Sequence, residues 1–351
     1  MFALCCLLTI GSLPALDFVH EIEIESSWQK FTDTATITLP RKIKAASGKQ
    51  LPDLIRVGDA VTIQYGYDGN LRTEFTGFVS ELKPGTPFQI KCEDQMWALK
   101  RATFSQSWRS VSLRTLLTYI RDHTTLDFDL NLLGKQELGK YQINQATGAQ
   151  VFEDLKKRFG VSVWFRQGVL CAGNPYAVSA TTHRYAFRQN IIDADLAYTQ
   201  AEDVALHFRA TSVQADGKKI QVDYDPATDS FYTKVPTKAH KGDPKPAPGA
   251  TAASQGLGKG ELRTLVAAPN LTAAQLRDWV RGWANQHQYT GYRGGLTGFG
   301  VPLVEHGDIA RVEDPDYPER AGAYYIDSVT KAFGINGSRR RAKLGPKVPN
   351  S

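Results

Sequence analysis

The stretch Gly58-Asp59-Ala60-Val61-Thr62-Ile63 returns near the other end of the chain as Gly307-Asp308-Ile309-Ala310-Arg311-Val312. The segments after each copy also match in order. FTGFVSEL at 75–82 answers YYIDSVTKAF at 324–333, and FQIKCED at 88–94 answers RRRAKLG at 339–345. A Gly-Asp turn before a strand is common and means little alone, but the shared order points to one β unit used twice.

The hydrophobic period supports strands. In HEIEIES (20–26), Ile22 and Ile24 face one way and Glu21, Glu23 and Glu25 the other; TATITLP (34–40) alternates similarly. About six short antiparallel strands before residue 100 are enough to close a small barrel, which removes exposed sheet edges. The first sixteen residues, MFALCCLLTIGSLPAL, lack the basic start and the cleavage signal of a secretion leader, and read as a strand ending at a Gly11-Ser12 turn.

After residue 100 the period changes. Leu113, Leu116, Leu117 and Ile120 fall on one helix face with Ser110 or Ser112 as cap, and Val151, Phe152, Leu155 and Phe159 form a second stripe closed by Gly160. Residues 101–195 therefore read as a small α/β domain inserted between β-barrel domains at 1–100 and 196–351. In the second barrel, a hairpin turns at Asp216-Gly217. The Pro/Gly-rich segment 236–260 reads as a mobile loop, and residues 272–287 as a helix with a Thr272/Gln275 capping box. Its Leu276, Trp279, Val280 and Trp283 stripe is expected to pack on a barrel. The fold class is thus α+β and β-dominated, with two related antiparallel β-barrels and an α/β insertion.

At 351 residues, with 42% apolar and 22% charged residues, the composition is that of a globular protein of two or three domains. The net charge of +6 permits contact with nucleic acid without arguing for it. Cys5, Cys6, Cys92 and Cys171 show neither a zinc spacing nor a disulfide framework, which fits a reducing compartment.

EIESSWQKFTDTATITLP (23–40), LIRVGDAVTIQYGYDG (54–69) with FTGFVSEL and FQIKCED behind it, YTGYRGGLTGFGVPLVEHGD (289–308) and YYIDSVTKAFGINGSRRRAKLG (324–345) together resemble the baseplate hub proteins of contractile phage tails, the Mu-like and late control protein D family. The resemblance implies two tail-tube-like barrels per chain and a homotrimer whose six barrels form a ring of near-sixfold shape. Such a ring would join a hexameric tail tube to a trimeric spike and leave an axial passage for DNA ejection. It also implies tail tube and spike partners, contacts with tape measure and other baseplate proteins, transient contact with DNA, no membrane insertion, and residence in the virion after assembly in the host cytoplasm.

The resemblance carries over no catalytic, cofactor-binding or metal residue, and the chain is expected not to be an enzyme. The histidines at 20, 123, 183, 207, 240, 287 and 306 show no HExxH or HxH spacing. GYRGGLTGFG (291–300) and GLGKG (256–260) lack the features of a phosphate loop, and the first reads as a tight loop close to another backbone. Asp122, Asp127 and Asp129 could form a glycosidase pair but read as a solvated connection. In SRRRAKLGPK, Arg339, Arg341 and Lys343 share one strand face and Arg340 and Ala342 the other; the run reads as a charged outer face or as a basic rim for acidic neighbours or DNA. Trp28, Trp97, Trp108, Trp164, Trp279 and Trp283 are core or interface candidates. A type VI secretion or other contractile injection hub, a tail-associated cell-wall hydrolase and a secreted carbohydrate-binding module are the alternative functions.

Overall fold

A computed structural model of the chain describes residues 3–40, 50–177, 180–200, 206–214, 218–234, 261–267 and 270–348. Unit 1 is Met1–Lys156, Val161–Leu196 and Arg293–Gly345; unit 2 is Lys157–Gly160, Ala197–Tyr292 and Pro346–Ser351.

Unit 1 opens with β1 (Leu4–Ile10), β2 (Glu21–Ser27), β3 (Thr34–Leu39), β4 (Ala60–Tyr67), β5 (Asn70–Lys83) and β6 (Phe88–Glu93). Period-two alternation builds them: Ile22 and Ile24 of β2 are buried while Glu21 and Glu23 are exposed. Their inward residues join Leu8, Ile37, Ile63, Phe75 and Ile90 in one core, so the six strands wrap a shared interior in the order β1-β4-β5-β6-β3-β2.

The middle of the chain adds α1 (Met96–Leu99), β7 (Thr103–Ser112), α2 (Leu113–Asp122), β8 (Leu130–Leu133), β9 (Glu137–Thr147), α3 (Gly148–Phe159), β10 (Ser162–Arg166) and β11 (Val169–Gly173). Strand β7 pairs with β9, and β10, β11 and β8 form a second small sheet. Helix α2 starts where the sequence places it: the Ser112 hydroxyl accepts the Thr115 N–H at 3.2 Å, and Leu113, Leu116, Leu117 and Ile120 are buried.

Strands β12 (Thr182–Ala186) and β13 (Ile191–Thr199) come next. They lie mostly within 101–195 yet belong to the largest sheet rather than to the α/β elements before them. The physical reason is that β12 pairs in parallel with a strand more than a hundred residues later, Thr182 opposite Ile309, so no local hairpin pattern announces it.

Unit 2 contains β14 (Leu206–Val213), β15 (Lys219–Asp225), β16 (Ser230–Lys234), β17 (Glu261–Val266) and α4 (Ala273–His287). The capping box forms: Thr272 Oγ1 accepts the Gln275 N–H, and the Gln275 side chain accepts the Thr272 N–H at 2.9 Å. The helix lays Leu276, Val280 and Ala284 onto Phe208, Val222 and Tyr224 of the sheet β16-β15-β14-β17. The expected second barrel at 196–351 is therefore corrected: β14 to β17 and α4 form a four-stranded sheet and covering helix of their own. Segment 236–260 and the Asp216-Gly217 turn lie outside the described residues.

The last strands are β18 (Gly291–Phe299), β19 (Ile309–Glu313), β20 (Gly322–Gly334) and β21 (Gly337–Lys347). With β12 and β13 they run in the order β12-β19-β20-β21-β18-β13, which matches β1-β4-β5-β6-β3-β2 position by position. The match departs at one end, because β1 meets β4 antiparallel while β12 meets β19 parallel.

Around the two Gly-Asp turns the likeness extends to single hydrogen bonds. Gly58 N–H donates to Val79 O at 2.8 Å and Gly307 N–H to Ile326 O at 2.7 Å; Val79 N–H returns to Asp59 O at 2.8 Å and Ile326 N–H to Asp308 O at 2.9 Å. Asp59 accepts Arg56 N–H at 2.8 Å through its carboxylate, and Asp308 accepts Glu305 N–H at 3.0 Å. Both glycines have positive φ, +97° and +87°, which explains why glycine stands there twice. The two groups join where β2 pairs antiparallel with β20, from Glu21 opposite Gly334 to Ser27 opposite Ser328, giving one twelve-stranded sheet.

The Gly-rich stretch at 291–300 is mainly strand β18 and not a tight loop, but the close approach is real. A Cβ at Gly294, φ +127°, would stand 2.0 Å from the Asp195 carbonyl oxygen of β13.

Candidate functional site

The joint between the two six-stranded groups holds a buried ionic quartet. On β5, Phe75 and Val79 point into the first core, which leaves Glu74 on the opposite face. On β20, Val329, Lys331 and Phe333 share the buried face; on β21, Ser338, Arg340 and Ala342 do. Lys331 Nζ donates to Glu74 at 2.9 Å and to Glu305 at 2.6 Å. Arg340 donates to Glu74 at 2.6 Å and to the Val304 carbonyl at 3.0 Å, with Glu305 at 3.5 Å. Two cations and two anions thus balance out of water, with most of their hydrogen-bonding capacity used, which is the condition for tolerating buried charge.

Beside the quartet, a cavity of 370 Å³ is walled by Asp33, Asp94, Arg72, Gln167, Glu305 and Lys331. Burial pushes the Asp33 carboxyl up to about 7 against the hydrogen bonds that favour its ionised form, and pushes Asp94 well above the usual carboxylate range, with the Asp33 charge adding to the effect. Such raised acids suit proton transfer in an enzyme, yet their acceptors are occupied, mostly by main chain. Asp33 takes the Ser27 N–H at 3.0 Å and the Ser26 hydroxyl; Asp94 takes Asp33 N–H at 3.2 Å and Met96 N–H at 3.0 Å. They lock the β2–β3 turn to the end of β6.

Two further anchors tie the middle elements and the β2–β3 turn to the second group. Asp308, the aspartate of the second Gly-Asp turn, accepts Arg166 of β10 at 2.7 Å and Thr181 N–H at 3.2 Å, with His183 Nε2 3.2 Å away. Its neighbour His306 is buried, and burial, then the charges of Arg166 and Lys331, depress its imidazole to about 3. Asp327 of β20 collects the Trp28 indole N–H at 3.2 Å, the Gln29 amide at 3.0 Å and the Tyr176 hydroxyl at 2.7 Å.

The structure does not gather the residues weighed from sequence. Asp122, Asp127 and Asp129 are exposed, Asp122 beside Arg121. No group of three or more His, Cys, Asp or Glu side chains among the described residues is arranged to hold a metal ion. His207 and Asp225 approach within 3.7 Å inside unit 2, and His240 lies outside the described residues. Cys5 and Cys6 take opposite faces of β1 as free thiols, Cys6 buried. Trp164 is core; Trp28, Trp279 and Trp283 pack partly buried against cores, and Trp97 stacks on Phe78. The basic run alternates as its spacing predicts, but Arg340 is not a surface charge: it is one corner of the quartet. Sequence reading also missed Lys331, although a lone lysine at the core-facing step between Val329 and Phe333 was the available signal.

The sequence matches no protein-family model and no curated protein sequence. Solved structures do match over nearly the whole chain. The 43 kDa tail protein of prophage MuSo2 from Shewanella oneidensis superposes with a TM-score of 0.64 at 14% identity, covering 97% of this chain and 98% of that one. A tail protein from Neisseria meningitidis MC58 gives 0.63 at 14% identity, covering 99% and 97%. The fold is that of phage tail proteins. An E. coli component of the type VI secretion system, itself similar to the T4 tail proteins gp27 and gp5, shares the tail-protein fold with a TM-score of 0.58 at 12% identity, over 97% of this chain and 77% of that one.

Proposed function

We propose that this chain is the structural hub of a contractile-tail baseplate. In this reading it is a homotrimer in which each protomer supplies two tube-type barrels, one from residues 1–100 and one from β12, β13 and β18 to β21. The six barrels form a ring of near-sixfold shape that joins a hexameric tail tube to a trimeric spike and leaves an axial passage for DNA. The observation that carries it is the duplicated ladder with its repeated hydrogen bonds at Asp59 and Asp308. A chain with one barrel unit would make a threefold ring of three; two equivalent units per chain let three chains present six similar faces. The tail-protein fold supports the same reading.

Tail tube, spike, tape measure and other baseplate proteins are the partners this role calls for, and the virion tail, assembled in the host cytoplasm, is where it is exercised. The superposition on the E. coli secretion component favours a second reading within the same class, the hub of a type VI or related injection system.

Native mass across a concentration series is the test, with three times the 38.8 kDa protomer as the expected assembly and a near-sixfold outline on imaging. A monomer that stays monomeric with its spike overturns the proposal. The protein is also expected to leave peptidoglycan intact; clearing that Asp33→Asn or Asp94→Asn abolishes would make it a hydrolase instead.

A further inference from the structure

The joint β2–β20 is made once inside the chain, although the repeat provides two places for it. Because Val79 and Ile326 make the same pair of hydrogen bonds to their Gly-Asp turns, Glu81-Leu82-Lys83 of β5 occupy the place of Ser328-Val329-Thr330 of β20. On β20 those residues pair with β2. On β5 the corresponding edge carries no strand among the described residues, since its pairing with β4 ends at Phe78, opposite Ala60, and β6 occupies the other side. The counterpart of β2 in the second group is β13, the end strand of its ladder, whose outer edge is likewise without a strand among the described residues.

Exposure obeys the same division. In the second group the residues before the Gly-Asp turn, Glu305 and His306, are largely buried; their counterparts in the first, Arg56 and Val57, are exposed, Val57 by 54%. Strand β2 buries Ile22 and Ile24, whereas β13 shows Ile192 at 43% together with Asp193 and Asp195. The charges are complementary: Arg56 and Lys83 flank the bare β5 edge, whose Glu81 is already paired with Lys91, and Asp193 lies exposed on β13, whose Asp195 is already paired with Arg341.

We propose that β13 of one copy adds to the Glu81-Leu82-Lys83 edge of β5 in the next, repeating between chains the joint that β2 and β20 make within one. Resting on the trimer reading, this assigns the interface to two strand edges, the Glu81-Leu82-Lys83 end of β5 and the outer edge of β13. Pro84 ends the β5 edge and keeps the inter-chain ladder shorter than the seven-residue pairing of β2 with β20. The joint between chains is accordingly more electrostatic and more salt-sensitive than the one inside the chain.

The test uses the full chain. Lys83→Glu is expected to weaken assembly at least about tenfold by native mass at low salt and Asp193→Lys to restore it, with unchanged circular dichroism showing that both fold. A wild-type trimer that Lys83→Glu does not weaken overturns the strand-edge interface and leaves the hub reading standing. A wild-type chain that remains monomeric overturns both.

Discussion

Arg340 and Arg341 are adjacent, identical in chemistry, and opposite in consequence. Arg340 is buried and bonded to Glu74 and Val304, while Arg341 lies half-exposed against Asp195. Removing one partner of a buried ion pair strands the others, so Arg340→Ala is expected to cost about 3–5 kcal/mol. Arg341→Ala should cost at most about 1 kcal/mol, because solvent screens its pair. Denaturant unfolding of the two variants side by side checks this, and equal losses would contradict the quartet. The strand alternation that predicts which arginines share a face cannot tell which face meets water, since that depends on Glu74 of β5, 266 residues away in sequence. Arg340 was therefore legible in direction but not in environment.

Asp33 supplies a pH signature at the same scale. The native carboxyl keeps its proton to about 7 while an unfolded aspartate loses it near pH ~4, so between these values the native state binds more protons. This contribution to stability is complete below the unfolded value and disappears as pH rises through about 7. Asp33→Asn holds the neutral form, so the stability of the variant relative to wild type should increase from about pH 5 to about pH 8. His306 works in the other direction: its depressed pKa gives stability above 6.5 that is lost as pH falls towards 3. Comparing Asp33→Asn with wild type cancels the histidine contribution, and a flat difference across the range would show that Asp33 titrates normally.

At the scale of elements, β13 and β18 depend on one missing side chain. Gly294 combines a φ of +127° with a Cβ position 2.0 Å from the Asp195 carbonyl, so Gly294→Ala must open that strand pair. Hydrogen exchange at β13 and β18 is expected to accelerate in the variant while β3 and β6, in the other group, keep their protection. Uniform protection throughout would mean that the close approach is dispensable. Elements with a short-range signature were readable from sequence: the alternation of β2, the stripe and cap of α2, the capping box of α4. Strand β12 was not, because its partner β19 lies far along the chain and runs parallel to it. Nor was the surface covered by α4 readable, since an apolar stripe states that a helix is covered and not by what.

At the scale of the molecule, the two compact units have cores with no residue in common: Ile22, Ile63, Phe75 and Ile90 belong to the first, Phe208, Val222, Leu276 and Val280 to the second. Separate cores are expected to melt separately, giving two heat-absorption transitions for the isolated chain in place of one. Substitutions then assign each transition. Thr272→Ala removes the side-chain acceptor at the start of α4 and should cost about 1 kcal/mol, which for a unit of about 60–100 residues is roughly 4–8 °C on one transition. Arg340→Ala should lower the other. If both substitutions shifted a single transition together, the units would be unfolding as one body. If each moves its own, the ring-forming strands and the α4-covered sheet are independent folding bodies. In that case subunit association through β13 and β5, both mainly elements of unit 1, should raise only the unit 1 transition as protein concentration increases.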